Sequence, residues 1–300
     1  MITSYLIGGL GNQLFQIFTT ISYAIKHRQQ FKFLKTEYLG GCTLRYTYWD
    51  TFLNSLNIFL INNFDNEMLV FQEKCFNYEE ISPYFTEQAN LQSKTLMLHG
   101  YFQSYKYFQE YYKQICSLIN LEKQKQNLLI KLERNKLEFK NTISMHFRIG
   151  DYKNLQNYHC LTPYIYYENS LLKLQEILNI STQSLIEKQD IKLSVIYFYE
   201  LTDYDDVIKI INALMIRFPN IEFIPVHSFN VKLLDYEEML FMSLLNHNII
   251  ANSSFSWWGA YFNDWSNKIV CYPSKWFGPA LAHHNLNDLH PPEWIKINII

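Results

Sequence analysis

The sequence predicts an α/β protein built as two Rossmann-like lobes. Three observations carry the prediction. The second half alternates apolar runs of strand length with amphipathic runs of helix length, the signature of a mainly parallel sheet. The first residues read as strand, glycine turn and helix, the opening of a Rossmann-like unit. Finally, 300 residues that are 48% hydrophobic and 17% aromatic can bury one large core or two moderate ones.

Taken in order, "SYLIG" is expected to form the first strand, followed by a helix from about Asn12 to His27. That helix carries Leu14, Phe15, Phe18, Ile21 and Ile25 at helical spacing. Residues 30 to 100 alternate short apolar runs ("FKFL", "MLVF", "TLMLHGYF") with turn-rich stretches, which suits an α/β lobe of irregular loops. From Ser104 to about Lys136 the pattern is helical and charged, and the lobe boundary is placed near residue 138, giving lobes 1–138 and 139–300. Then follow strand "TISMHFRI", helix "PYIYYENSLLKLQEIL", strand "LSVIYFYE", helix "DDVIKIINALMIRF", strand "IEFIPV", helix "LDYEEMLFMSLLNH", strand "NIIAN", a helix from about Trp257 and strand "KIVCYP".

Composition narrows the function. A formal net charge of -2 argues against nucleic acid as a partner, because polyanion binding relies on excess Lys and Arg. Cys42, Cys75, Cys116, Cys160 and Cys271 are odd in number, scattered and without a C-x-x-C pair, so neither a disulfide framework nor a zinc site is suggested. "MITSYLIGGLGNQ" has no basic leader, and its apolar run is too short for a signal core or a membrane span. The expectation is a soluble, cytoplasmic protein with no membrane span.

Ligands of such sheets sit beyond the carboxyl ends of the strands, and four of these ends carry polar or glycine-rich signals. "GGLGNQ" lets a backbone turn at Gly8, Gly9 and Gly11 approach another group, with Asn12 near the helix start; a packing turn is the alternative, and the stretch departs from the dinucleotide G-x-G-x-x-G. "HFRIGDY" places Arg148 at a strand end beside His146 and a glycine. An arginine there either neutralises a pyrophosphate or pairs with Asp151 or Asp203 to hold the lobe together. "LTDYDD" puts Asp203 where it could orient Arg148 or meet the ligand, while Asp205 and Asp206 read as helix caps. In "ANSSFSWW", Ser256 reads as a helix cap and both tryptophans as core, which leaves Asn252, Ser253 and Ser254 as anion-binding candidates with little structural need to be polar. No metal spacing is convincing, the "HH" of His283 and His284 included, and the G-x-S-x-G elbow is absent.

As a set, "GGLGNQLFQ", "GYFQSYKYF", "HFRIGDY", "FYELTD", "HNIIANSSFSWWGAYF" and "YPSKWF" resemble, in order and rough spacing, the α-1,2-fucosyltransferases of glycosyltransferase family 11. The resemblance runs from residue 5 to the closing "DLHPPEWIKI". It implies an inverting GT-B enzyme with two lobes facing across a cleft, GDP-fucose held mainly by the second lobe, and neither metal nor other cofactor. It further implies that Arg148 meets the donor diphosphate with His146 beside it on the nucleotide, and that Ser253 and Ser254 meet the β-phosphate. Glu238 matches an acidic position facing guanine, and the turn of Gly9, Gly11 and Asn12 resembles a loop closing on the diphosphate. Two departures stand out: Ile149 where a second arginine is frequent, and Glu238 where Asp is more usual.

The reaction this implies is attack by an acceptor hydroxyl, the 2-OH of a terminal galactose, on C1 of fucose with departure of GDP. Asp151 is a candidate base and equally a candidate partner of Arg148. Acceptor contacts are expected from the first lobe, where "GYFQSYKYF" and residues 38–50 offer aromatics. A fucosyltransferase of other linkage or acceptor, such as a protein O-fucosyltransferase, a transferase for another nucleotide sugar, and a silent sugar-nucleotide or glycan-binding module remain the alternatives.

Overall fold

The computed structural model describes residues 1–40, 44–65, 67–82, 85, 87, 88, 93–133, 141–178 and 193–299. The chain forms two units: Met1–Gln124 with His284–Pro291, and Lys125–His283 with Pro292–Ile300. The boundary expected near residue 138, and Cys42 with its neighbours, lie outside the described residues.

The second unit is a mixed α/β layer around a six-stranded, wholly parallel sheet. Its strands are β8 (Thr142–His146), β9 (Leu193–Phe198), β10 (Ile221–Pro225), β11 (His247–Ile249), β12 (Val270–Pro273) and β13 (Ile295–Ile297), in spatial order β10-β9-β8-β11-β12-β13. Counted along the chain, this is the order 3-2-1-4-5-6 of dinucleotide-binding sheets. Burial on both faces explains why these strands read as near-continuous apolar runs.

Period-two alternation in β8 divides its side chains between the faces. Ile143, Met145 and, just beyond the strand, Phe147 enter a core with Tyr166, Leu171 and Leu174 of helix Tyr164–Ile177 and Val207, Ile211 and Leu214 of helix Tyr204–Arg217. Ser144 instead accepts a 2.7 Å bond from Asn248 Nδ2, which also donates to the Met242 carbonyl at 2.8 Å. These buried polar groups are partnered, as burial requires.

On that second face lie helices Asp235–Leu244 and Ser254–Tyr261. They touch closely at Gly259, where a Cβ would stand 2.9 Å from Met242 Cβ. The C-terminal end of helix Ser254–Tyr261 is held by two cations. Lys125 Nζ donates to the Phe262 carbonyl at 2.6 Å, and Lys268 Nζ donates to those of Ala260 (2.9 Å) and Asn263 (2.5 Å). Positive charge there complements the helix dipole.

The first unit has a parallel sheet in the order β1-β7-β6, from Ile2–Ser4, Thr95–His99 and Met68–Gln72. A parallel pair joins β2 (Phe33–Leu34) to β5 (Leu60–Ile61), and an antiparallel pair joins β3 (Tyr38–Leu39) to β4 (Arg45–Tyr46). Helix Leu10–Lys26 is buried from Leu10 to Ala24 except at Asn12.

Several element boundaries differ from expectation; strand β8 ends at His146 rather than Ile149, and the helix from Asp235 ends at Leu244 rather than His247. The first strand is Ile2–Ser4 rather than "SYLIG", because it pairs through Ile2 to Ser4 with Leu96 to Leu98 and leaves Tyr5 half exposed. The first helix begins at Leu10, not Asn12, and the last at Ser254, not Trp257. Strand β11 is His247–Ile249 rather than "NIIAN", and β13 was not anticipated. Among the described residues no helix is long and apolar enough to cross a membrane.

Candidate functional site

The sheet order reverses between β8 and β11. Those two strands lie side by side, with Ile143, Ser144 and Met145 opposite His247, Asn248 and Ile249. Their carboxyl ends therefore open together at the switch point, where ligands of open α/β sheets bind. "FRIGD" leaves one strand and "IANSS" the other. Tyr152 Oη donates to the Asn252 carbonyl at 3.1 Å, and the His146 and Phe255 rings lie 5.7 Å apart, so the two segments touch.

Arg148 is the cation of this region. Its Nη1 donates to Glu200 Oε1 at 2.5 Å and its Nη2 to Asp151 Oδ1 at 2.7 Å. Its Cζ lies 5.4 Å from the Tyr152 ring centroid, in cation–π range. A guanidinium has five N–H donors, so two such bonds leave donors for a further acceptor. Both carboxylates are substantially exposed.

Glu200, at the exit of β9, was missed in the sequence although it stands inside "FYELTD". Asp203 is not the partner of Arg148 that the sequence allowed. It is buried, accepts the Gly150 N–H at 2.8 Å and lies 3.8 Å from Lys153 Nζ. Its duty is to hold the turn after Arg148. A Cβ at Gly150 would meet Glu200 Oε2 at 3.4 Å and Asp203 Oδ2 at 3.7 Å, ordinary contact distances, so the turn does not depend on glycine there.

His146 ends β8 and is 7% exposed. Its carbonyl accepts the Tyr167 hydroxyl at 3.2 Å, while its Nδ1 has no hydrogen-bond partner among the described residues. Burial, and then the Arg148 charge, push its pKa down to about 3, so the imidazole is neutral.

Asn252 has a clear structural need for its polarity, which corrects the expectation from sequence. Its Nδ2 donates to the Cys160 carbonyl (2.9 Å) and the Trp276 carbonyl (3.0 Å), and its Oδ1 accepts from Thr162 Oγ1 at 3.2 Å. The amide thus ties three loops together beneath the site.

Ser253, not Ser256, is the helix cap. It has extended backbone, and its Oγ accepts the Phe255 N–H at 3.3 Å. Ser256 is buried and donates to the Ser253 carbonyl at 3.4 Å. Ser254 opens the helix, whose N-terminal amides and dipole favour an anion.

Glu238 lies in the first turn of helix Asp235–Leu244. Burial, followed by the charges of Asp235 and Glu200, pushes its pKa up to about 7. Glu200 therefore links Arg148 and Glu238 electrostatically. Ile149 is buried in the sheet core.

Gly9, Gly11 and Asn12 belong to the other unit. Gly8, at φ +81°, is the residue that needs glycine, for a Cβ there would meet Asn12 Nδ2 at 2.4 Å; beside Gly9 the space is open. Two helix glutamines pin the turn. Gln13 Nε2 donates to the carbonyls of Gly8 (3.0 Å) and Tyr46 (2.8 Å), and Gln16 exchanges two bonds with the Ile7 backbone. Asn12 Oδ1 accepts Gln103 Nε2 at 2.9 Å.

Compared with known proteins, the chain is 26% identical to the Escherichia coli "O-antigen biosynthesis glycosyltransferase WbnK" over 328 aligned positions, covering 98% of this chain and 99% of that one. It is likewise 26% identical to the Escherichia coli "Alpha-1,2-colitosyltransferase" over 316 positions, covering 99% of each. The chain is a homologue of both. This agrees with the family resemblance carried by the motifs. No protein-family model matches the chain. A solved structure of an Arabidopsis thaliana FUT1 mutant in complex with GDP superposes with a TM-score of 0.46 and 10% identity, over 90% of this chain and 69% of that one. In this glycosyltransferase homologue, no group of three or more His, Cys, Asp or Glu among the described residues is placed to hold a metal ion.

Proposed function

We propose that the protein transfers a sugar from a GDP-linked donor to a hydroxyl of a glycan. The donor sugar is L-fucose, the acceptor hydroxyl is the 2-OH of a terminal galactose, and transfer proceeds with inversion to an α-1,2 linkage, without a metal. The observation that carries the proposal is the pairing, at one switch point, of Arg148 with the Ser253-capped helix start. A nucleoside diphosphate needs a cation, hydroxyls and helix amides converging on it, and this corner of the sheet supplies all three.

In this reading Arg148 and the hydroxyls of Ser253 and Ser254 stabilise charge growing on the departing diphosphate. The neutral His146 lies beside the nucleotide, and the Glu238 carboxylate accepts the N1 and N2 protons of guanine. The motif resemblance assigns Gly9, Gly11 and Asn12 to the donor as well. Asp151 fits better as an orienting partner of Arg148, from whose Nη2 its Oδ1 accepts at 2.7 Å, than as a base.

Calorimetric titration in EDTA with GDP-fucose, GDP-mannose and UDP-galactose tests the proposal, followed by transfer to β-galactosides with linkage analysis of the product. Selective GDP-fucose binding is expected. Preference for a uridine donor overturns the reading. A second donor sugar, colitose, enters because one full-length relative is named for its transfer, so GDP-colitose belongs in the same panel.

A further inference from the structure

The motif "GYFQ" has no part in the donor site described above, yet its geometry is unusual. Strands β6 and β7 end together, with Gln72 opposite His99, and the Glu73 N–H continues the ladder to the His99 carbonyl at 2.9 Å. The Glu73 side chain then turns under the chain leaving β7. Its Oε2 accepts the Tyr101 N–H at 2.7 Å, and both oxygens share the Phe102 N–H at 3.0 Å each. Only glycine permits this at position 100, where a Cβ would sit 2.3 Å from Glu73 Cβ.

The carboxylate holds a backbone that side chains rarely adopt. Phe102 is fully buried at φ 52°, in the left-handed region, a conformation that persists only where surroundings fix it. The next residue, Gln103, is 7% exposed and makes the 2.9 Å bond to Asn12 Oδ1. A connected path therefore runs from Glu73 through two amides and a strained turn to the side chain of Asn12.

We propose that Glu73 and Gln103 are positioning residues that set the orientation of Asn12, so that the ionisation state of Glu73 controls how well Asn12 is placed for the reaction. This rests on the proposed function, in which Asn12 meets the donor. The chemistry requires the charged form, since only a carboxylate presents acceptors on both oxygens; a protonated acid turns one of them into a donor facing N–H groups. Burial pushes the Glu73 pKa up to about 7, and the Glu79 charge adds to the rise. Around it, Glu79 lies 3.9 Å from Lys74, the Tyr107 hydroxyl accepts the Glu79 N–H, and His99 and Tyr101 contribute backbone.

Two measurements test this. The first follows the side-chain amide NMR signals of Asn12 and Gln103 from pH 5.5 to 8.5. They should titrate together with a midpoint near 7 and stop doing so in Glu73→Gln; an Asn12 signal that ignores pH in the folded wild type overturns the proposal. The second follows transfer from GDP-fucose to lactose over the same range. Glu73→Gln should lose about tenfold in kcat/KM at pH 8 and drop one ionisation from the profile. Gln103→Ala should lose a similar factor while the Glu73 ionisation persists, and the double variant should cost less than the product of the two. Wild-type turnover with an unaltered Glu73→Gln profile overturns the proposal even where the signals shift. If the coupled shifts appear but the wild type turns over no GDP-sugar, the relay stands and the assigned reaction falls.

Discussion

In the proposed reading, Arg148 concentrates the chemistry of the second unit in one side chain. Its two carboxylate partners set the plane of the guanidinium before any ligand arrives, which keeps its remaining donors pointed and reduces reorganisation on binding. Removing one such donor from a developing anion costs roughly 3 kcal/mol in the transition state. Arg148→Ala should therefore lose at least about a hundredfold in kcat while its circular dichroism and melting transition stay near wild type; retention of most activity rules out the assigned role. Glu238 offers a second test. In the proposed reading guanine offers it two donors, so the carboxylate must be charged to accept both. With a free-protein pKa of about 7, GDP affinity should weaken as pH falls from 8 to 6. Glu238→Gln should bind more weakly at pH 8 and show a flatter profile, measured by calorimetry across that range.

The helix Ser254–Tyr261 shows how an element carries a site. One end is neutralised by Lys125 and Lys268, the other is capped by Ser253, and its middle packs against Met242 through Gly259. Two substitutions separate these duties. Ser253→Ala should lower stability by about 1 kcal/mol through loss of the cap and also weaken donor binding. Gly259→Ala forces a methyl to 2.9 Å from Met242 Cβ and should lower stability by about 1–3 kcal/mol, with donor affinity changed much less than by the cap variant. Chemical denaturation paired with calorimetry distinguishes them.

At this scale much of the second unit was legible in the sequence, because strands buried on both faces leave unbroken apolar runs. What local pattern could not fix was pairing. Ile2–Ser4 is a strand because Leu96 to Leu98 lie beside it, not because it is the most apolar stretch. Three near-adjacent serines are equivalent to a reader of sequence, and only the extended backbone at Ser253 selects the cap. Glu200 escaped because its partner stands 52 positions away, brought near by the parallel pairing of β8 and β9. Arg148 and the serines were named as candidates from residue type and position, and Glu238 only through the family resemblance; the loops that Asn252 ties were not, since an amide bonding backbone carbonyls leaves no trace in spacing.

For the whole molecule, buried ionisable groups predict how stability depends on pH. Glu73 and Glu238 have folded pKa values raised to about 7, so their contribution is fully present below their unfolded values and is lost as pH rises through about 7. His146 and His247 are depressed to about 3 and about 4, chiefly by burial, so theirs is present above the ordinary histidine value and lost as pH falls toward those numbers. From these four groups, stability should be nearly level between about pH 4.5 and 6.5 and decline on both sides. Thermal melts from pH 3.5 to 8.5 check this, with Glu73→Gln and Glu238→Gln each expected to reduce the decline on the alkaline side. A monotonic rise of the melting temperature to pH 8 contradicts the assignment.

Asn252 also bears on how the protein ages. Asn followed by Ser is a pair prone to deamidation in a flexible chain, through attack of the following backbone nitrogen on the side-chain amide. Here that nitrogen's N–H is bonded to the Ala251 carbonyl at 2.8 Å, and the amide is fastened to Cys160, Trp276 and Thr162. The fold thus shields its own weak point. Each episode of local opening exposes it, and a carboxylate formed there would turn a negative charge on two carbonyls at the edge of the proposed anion site. Stored preparations should therefore lose donor binding in step with the appearance of an acidic isoform.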